Sequence, residues 1–210
     1  MLRHEHSAVL YAGTAYRLAE LGLETGVYLG LTRFSGVRYP PVASVVLGFR
    51  REDVGHRCEG FGMLIPKVEG FKILGTIFSS SLFPNRAPAG HLTLTSYVGG
   101  ERYPELASLS PEQLFALTCE DLRVLLGVKA KPTFQHAVFY PKAIPQYNLG
   151  YGDYRELMNQ IESKAPGFFL AGHYRDGVSL SDSIVSGCNV VDRIETFLAR
   201  NRRAEPAAAV

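Results

Sequence analysis

Four short apolar runs, separated by turn residues, set the strongest limit on how this chain can fold. Residues 42–49 (VASVVLGF) read as a buried strand. Residues 61–65 and 72–79 flank the turn-like KVEGF around Gly70, which is a hairpin pattern, and residues 91–98 (HLTLTSYV) alternate with period two. A largely antiparallel sheet over 42–98 follows. Behind it, Ser110-Pro111-Glu112-Gln113 combines an N-cap serine, a proline at the first helical position and a glutamine at capping-box spacing. Phe115, Cys119, Leu122 and Leu126 then recur at helical spacing until Gly127 stops the run.

Residues 133–139 predict a further strand, and Pro141 and Pro145 force an extended crossing in FYPKAIPQYN. Residues 154–164 predict a helix, 167–198 a strand, turn and helix, and AEPAAAV a frayed tail. Residues 1–6 are polar, and 9–31 are Gly-rich and apolar without a clean period. The class is mixed α/β (α+β).

Bulk properties narrow the function. At 210 residues, with 46% hydrophobic and 20% charged residues, the chain can bury a real core and has the composition of a soluble globular protein. A net charge of +2 is too small to argue for nucleic acid. Arg200, Arg202 and Arg203 read as the solvated end of a helix, opposing the negative pole of its dipole. Cys58, Cys119 and Cys188 are odd in number and far apart, with no CxxC, so neither a zinc site nor a disulfide framework is implied. A reducing, cytoplasmic setting fits best. No stretch resembles a signal peptide, and no apolar run approaches the roughly 20 residues that span a bilayer.

The segment GFFLAGHYRDGVSLSDSIVSGCNVVDRIETFL, residues 167–198, carries the chemistry. Ile184, Cys188, Val191, Ile194 and Leu198 fall on one helical stripe, which predicts a buried face. Ser179 or Ser181 can cap the helix. The turn before it is expected to expose backbone N–H groups, with no side chain at Gly172 or Gly177 to keep a ligand away. A helix N-terminus of this kind seats an anion or an electron-rich ring edge. Gly187 inside the helix costs about 1 kcal/mol against alanine, which close packing against another element would explain. A tight turn with an ordinary cap fits the same residues.

LAGHYRDGVSLSDSIVSGCNVVD resembles the C-terminal flavin-binding segment of the flavin amine oxidase superfamily, and within it the protoporphyrinogen oxidase family, the oxygen-dependent porphyrinogen oxidases of haem synthesis. YPPVASVVLGFRRED (39–53), EGFGMLIP (59–66), LGTIFSSSLFPNRAP (74–88), LTSYVGG (94–100) and KAIPQYNLG (142–150) resemble the same family in its order and spacing, over about 38–198. Monoamine oxidases share the ending in outline. The acidic residue they place after its AG is His173 here, which points away from amine substrates.

The resemblance implies FAD as cofactor, with Val178, Ser179 and Leu180 near the flavin ring, a helix beginning at Asp182 pointing at it, and Gly172 and Gly177 permitting close approach. It implies that a porphyrinogen, a large apolar macrocycle with carboxylates at its rim, is held between positions matching Leu64, Ile77 and Tyr97, with oxygen as the final acceptor. Tyr97 departs from the phenylalanine or methionine expected there. The strand pattern agrees: Ile77 shares a face with Ile73 and Gly75, Leu64 with Gly62, and Tyr97 with Thr93 and Thr95, the glycines leaving space. Plain core packing of Leu64 and Ile77 fits that periodicity equally.

No catalytic acid or base and no metal site is nominated, because the cofactor performs the difficult step. His4, His6, His56, His91 and His136 form no ligand pattern, and no nucleophile elbow occurs. Nor does a G-x-G-x-x-G, the fingerprint that holds a dinucleotide pyrophosphate. The resemblance places that fingerprint, an arginine for a substrate propionate and most of a membrane-associated region upstream of the matched part. The chain is therefore expected to be less than half of such an oxidase, with the other half as partner. Oligomeric state and peripheral membrane contact stay open. The expected division is 1–37 as a poorly matched segment, 38–140 as part of a substrate-binding domain, 141–200 as the end of an FAD-binding domain, and 201–210 as a flexible tail. A porphyrin-binding module without flavin, or another superfamily member such as a carotenoid desaturase, are the alternatives.

Overall fold

The structure, a computed structural model, describes residues 4–204. In chain order its elements are β1 (Val9–Tyr11), α1 (Ala15–Leu18), β2 (Val42–Arg50), β3 (Gly62–Leu64), β4 (Ile73–Ile77), α2 (Ser79–Leu82), β5 (His91–Gly99), α3 (Pro111–Leu126), β6 (Phe134–Tyr140), α4 (Gly152–Lys164), β7 (Phe168–Leu170), α5 (His173–Asp176) and α6 (Leu180–Ala204). They form two compact units. Residues up to Arg38 together with those from Ile144 onward make one, and Tyr39–Ala143 the other.

In the Tyr39–Ala143 unit, the strand signals build a five-stranded antiparallel sheet in the order β3-β4-β5-β2-β6. The long central pair runs in register from Val42↔Gly99 to Arg50↔His91. One face is the core. Ala43, Val45, Leu47 and Phe49 of β2 and Leu92, Leu94 and Val98 of β5 are buried there, in one cluster with Leu114, Leu122 and Leu126 of α3. Each large side chain so buried contributes about 1.5–3 kcal/mol. Ser96 on this face is buried too, and its hydroxyl donates to Thr76 Oγ1 at 3.1 Å.

Helix α3 begins with the expected capping box: Ser110 Oγ accepts from Gln113 N, and Gln113 Oε1 accepts from Ser110 N. It ends at Gly127, whose φ of 63° is the left-handed conformation of a C-cap glycine. Its buried face is turned from the predicted stripe. Phe115 and Cys119 are only half-buried, while Leu114, Thr118 and Asp121 are buried with Leu122 and Leu126. Asp121 belongs inside because its Oδ2 accepts the backbone N–H groups of Lys72 (2.7 Å) and Ile73 (2.9 Å), tying α3 to the start of β4.

Strand β4 departs from its expected phase. Gly75, Thr76 and Ile77 pair with Tyr97, Ser96 and Thr95, but Ile73 pairs with Val98, so one extra residue intervenes. This bulge turns Ile73 into the core, away from the face of Gly75 and Ile77. Gly62 and Gly75 do not leave open space either. A Cβ on Gly62 would lie 2.2 Å from Thr76 O, and one on Gly75 2.5 Å from Met63 O, so both glycines let the β3 and β4 backbones close on each other.

In the other unit, β1 pairs in parallel with β7, from Val9↔Phe168 to Tyr11↔Leu170. Helix α4 starts two residues before its predicted position and buries Leu157, Met158 and Ile161. Phe169, Ala171 and Val190 form a buried cluster with Ile194 and Phe197 against it. Helix α6 differs most from expectation. Ile184, Cys188 and Val191 of the predicted buried stripe are exposed, and the inward positions are Ser186 and Val190. A Cβ on Gly187 would meet nothing within 4 Å, so close packing does not account for that glycine. The helix begins at Leu180 rather than Asp182 and continues to Ala204, past the expected start of the tail. Residues 205–210 of that tail lie outside the described residues.

Candidate functional site

Leu64, Ile77 and Tyr97, the positions expected to meet a substrate, lie on the face of the sheet opposite its core. Cross-strand pairing puts directly opposed residues on one face. The row Leu64↔Gly75↔Tyr97↔Ser44 and the row Gly62↔Ile77↔Thr95↔Val46 therefore share a side. Over this face lies a hollow of about 700 Å³, lined by Ile77, Tyr97, Val46 and Phe134 among others. Pockets for small molecules are typically about 300–1,000 Å³, largely apolar and with few polar anchors. Leu64 does not join them in that lining. It stands 91% exposed on the edge strand β3.

Most hydroxyls around the hollow are already engaged. Ser79 Oγ and Thr95 Oγ1 share a hydrogen bond of 2.7 Å. Thr93 Oγ1 donates to Arg86 O at 2.7 Å, and Thr133 Oγ1 to Gly48 O at 3.2 Å. The apolar character of the hollow is thus deeper than its residue types suggest.

The positions expected to face a flavin lie in the other unit, between β7 and α6. Ser179 is the N-cap, as one of the two candidates. Its Oγ accepts from Asp182 N (3.0 Å), and Asp182 Oδ2 accepts from Ser179 N (3.2 Å), a reciprocal box. Asp182 therefore spends its carboxylate inside the helix start. The space beside Gly177 is filled by the same side chain. A Cβ there would lie 2.5 Å from Asp182 Cγ, at a φ of 132°. Gly172 has a φ of 115°, with ordinary contact distances around the missing Cβ.

The turn is also less open than expected. Gly172 N–H donates to Ser186 Oγ at 2.8 Å, and that hydroxyl donates to Asp176. Gly177 N–H donates to Tyr147 Oη at 2.9 Å, while Tyr147 donates to His173 O. One phenol thus bridges both ends of α5. Its pKa is raised, mainly by burial, with the Gly177 N–H opposing that shift. His173 is held below its ordinary pKa by burial. Among the described residues, Leu180 and Ser181 in the first turn of α6, and Val178 just before its N-cap, have N–H groups with no acceptor in the chain. Val178 and Leu180 are exposed. Two free donors at the positive end of a 25-residue helix, with the Val178 N–H beside them, fit one edge of an electron-rich ring.

Sequence reasoning did not single out Arg86, Phe134 and Val46 at the hollow, nor Tyr147 and Ser186 behind the turn. Tyr147 stands in KAIPQYNLG and Arg86 in LFPNRAP, both within the stretches carrying the resemblance.

The chain belongs to the flavin-containing amine oxidoreductase family, whose model matches residues 29–195. It is 39% identical over 165 residues to the mitochondrial protoporphyrinogen oxidase of Nicotiana tabacum, covering 77% of this chain and 33% of that protein. It is 28% identical over 158 residues to the coproporphyrinogen III oxidase of Bacillus subtilis (strain 168), covering 75% of this chain and 34% of the relative. The fold matches the crystal structure of a candidate protoporphyrinogen oxidase from Exiguobacterium sp. 255-15 with a TM-score of 0.72. That match has 21% identity and covers 90% of this chain and 41% of the other. The chain spans about a third of the length of these curated relatives. Its mixed α/β architecture is a partial amine oxidase-like fold.

Proposed function

We propose that this chain carries the macrocycle-binding sheet and one flavin-facing turn of an FAD-dependent, oxygen-using porphyrinogen oxidase of haem synthesis. The carrying observation is that Ile77 and Tyr97, two positions the family likeness assigns to the macrocycle, line one apolar hollow. The 39% identity to a protoporphyrinogen oxidase supports the substrate class. Leu64 shares their face of the sheet and would meet the substrate at its rim.

When bound, FAD would supply the two-electron acceptor that the protein side chains lack. Val178, Leu180 and Ser181 would hold it through their free N–H groups. Tyr147, Ser186 and the Ser179–Asp182 box keep the turn in shape, so these donors need no rearrangement on binding. The hollow excludes water from the macrocycle and orients it by shape. No residue of this chain is assigned a proton-transfer role. Three free cysteines are consistent with a reducing, cytoplasmic setting, and among the described residues no helix is long and apolar enough to cross a membrane.

The test is the visible spectrum of the purified chain, alone and mixed with candidate upstream polypeptides, followed by oxidation assays with proto- and coproporphyrinogen. Flavin absorbance together with oxygen-dependent porphyrin formation supports the proposal. Flavin binding with turnover of carotenoids and none of porphyrinogens would overturn it, and so would a macrocycle bound without any flavin in every mixture.

A further inference from the structure

The hollow over β2, β4 and β5 is lined by a guanidinium, Arg86, with no ion-pair partner among the described residues. Arg86 lines it beside Phe83, His91, Ile77 and Tyr97. Among the described residues no carboxylate lies within salt-bridge reach of its guanidinium. Arg86 is exposed, with its backbone tied down and its guanidinium beside an aromatic ring. Arg86 O accepts from Thr93 Oγ1, which fixes the backbone to β5. The guanidinium carbon sits 5.8 Å from the centre of the Phe83 ring, an arrangement favoured by the ring quadrupole.

The other polar groups leave the guanidinium exceptional. Ser79, Thr93, Thr95 and Thr133 engage partners within the chain. His91 turns Nδ1 to Ala89 O at 3.2 Å. Tyr97 adds one hydroxyl. A hollow with an apolar floor and one exposed, unpaired guanidinium at its rim suits an apolar ligand with a carboxylate at its edge. Arginine is the side chain that matches a carboxylate through two parallel hydrogen bonds.

We propose that Arg86 is a substrate anchor of this hollow, binding a rim carboxylate of the macrocycle and so fixing its rotation over Ile77 and Tyr97. The assignment rests on the porphyrinogen reading above and adds to it a polar contact supplied by this chain. It predicts that the hollow distinguishes acidic tetrapyrroles from neutral ones of the same shape.

The experiment titrates the intrinsic fluorescence of the full chain with coproporphyrin and with its tetramethyl ester. Wild type, Arg86→Leu and Arg86→Lys are compared, with circular dichroism as a folding check. Wild type is expected to bind the acid roughly 10- to 100-fold more tightly than the ester, the range of a hydrogen-bonded charge pair. Arg86→Leu should lose that preference and leave ester affinity within about twofold, as expected when one anchor is removed. Arg86→Lys should recover part of it, since it restores the charge without the planar fork. Equal losses for acid and ester in Arg86→Leu would show a structural role and overturn the anchor, as would an undiminished acid preference. If wild type binds neither macrocycle, the porphyrinogen reading of the hollow fails and the anchor falls with it. Binding of both at equal affinity keeps that reading and refutes the anchor alone.

Discussion

Glu162 on α4 tests how the strand leading to the turn before α6 is held. Its side chain is 14% exposed and accepts from Leu170 N–H at 2.8 Å, from Arg193 Nη1 at 2.6 Å, and faces Arg175 Nη1 at 3.4 Å. Arg193 also donates to Leu170 O at 2.9 Å. Strand β7, which leads into the turn, is thus clamped on both its N–H and C=O sides by one charge cluster. Glu162→Gln keeps the shape and removes the charge. It leaves two guanidinia, with side-chain exposures of 13% and 31%, facing a neutral amide.

Breaking a fully buried pair costs about 3–5 kcal/mol. Partial exposure places this one near the lower end, about 3 kcal/mol. If the cost falls on local opening of β7, exchange of the Leu170 amide should accelerate roughly 150-fold, at about 1.4 kcal/mol per decade. Native-state hydrogen exchange reads it directly, with the exposed Glu195→Gln as control. An acceleration below about threefold, under roughly 0.7 kcal/mol, would refute the clamp.

Further predictions concern single positions. Gly177→Ala should destabilise more than Gly172→Ala in denaturant midpoints. Both positions have a φ that L-residues avoid, but only the first adds a clash with Asp182. Asp121→Ala should cost on the order of 3 kcal/mol by leaving the Lys72 and Ile73 N–H groups unpaired. Asp121→Asn should recover most of that in the same measurement, since an amide oxygen can still accept both. The depressed pKa of His173 means the unfolded chain binds more protons below about pH 6.5. Its contribution is therefore complete above that pH and lost as pH falls through the folded value. Replacing His173 by asparagine should flatten the acid side of the stability profile.

The sheet was legible because its signals are local. Alternation in β5 and the apolar run of β2 need no distant partner to be recognised, and the Ser110–Gln113 box announces α3 by side-chain chemistry alone. The parallel pair of β1 and β7 was not legible. Three residues of β1 acquire strand geometry only from a partner more than 150 positions away.

The face of α6 was misread for a different reason. Its inward side turns on Ser186, a small polar residue whose value lies in two hydrogen bonds, which hydropathy does not register. The glycines were located correctly in sequence, yet Gly62, Gly75 and Gly177 answer to neighbouring backbone or to Asp182. Spacing reveals that a Cβ is unwelcome, not what excludes it. Ile77 and Tyr97 were singled out through family likeness, and the register of β4 and β5 explains how they come to stand on one side.

The single added residue at Leu74 separates two demands that a regular strand would couple. Upstream of it, Ile73 answers to the interior of its unit; downstream, Ile77 answers to whatever fills the hollow. Variation that reshapes the ligand space can accumulate after this point without disturbing the packing before it. Deleting Leu74 would restore one-to-one pairing, with Ile73 still opposite Val98 and Ile77 still opposite Thr95, and would remove the local bend without exchanging the two faces.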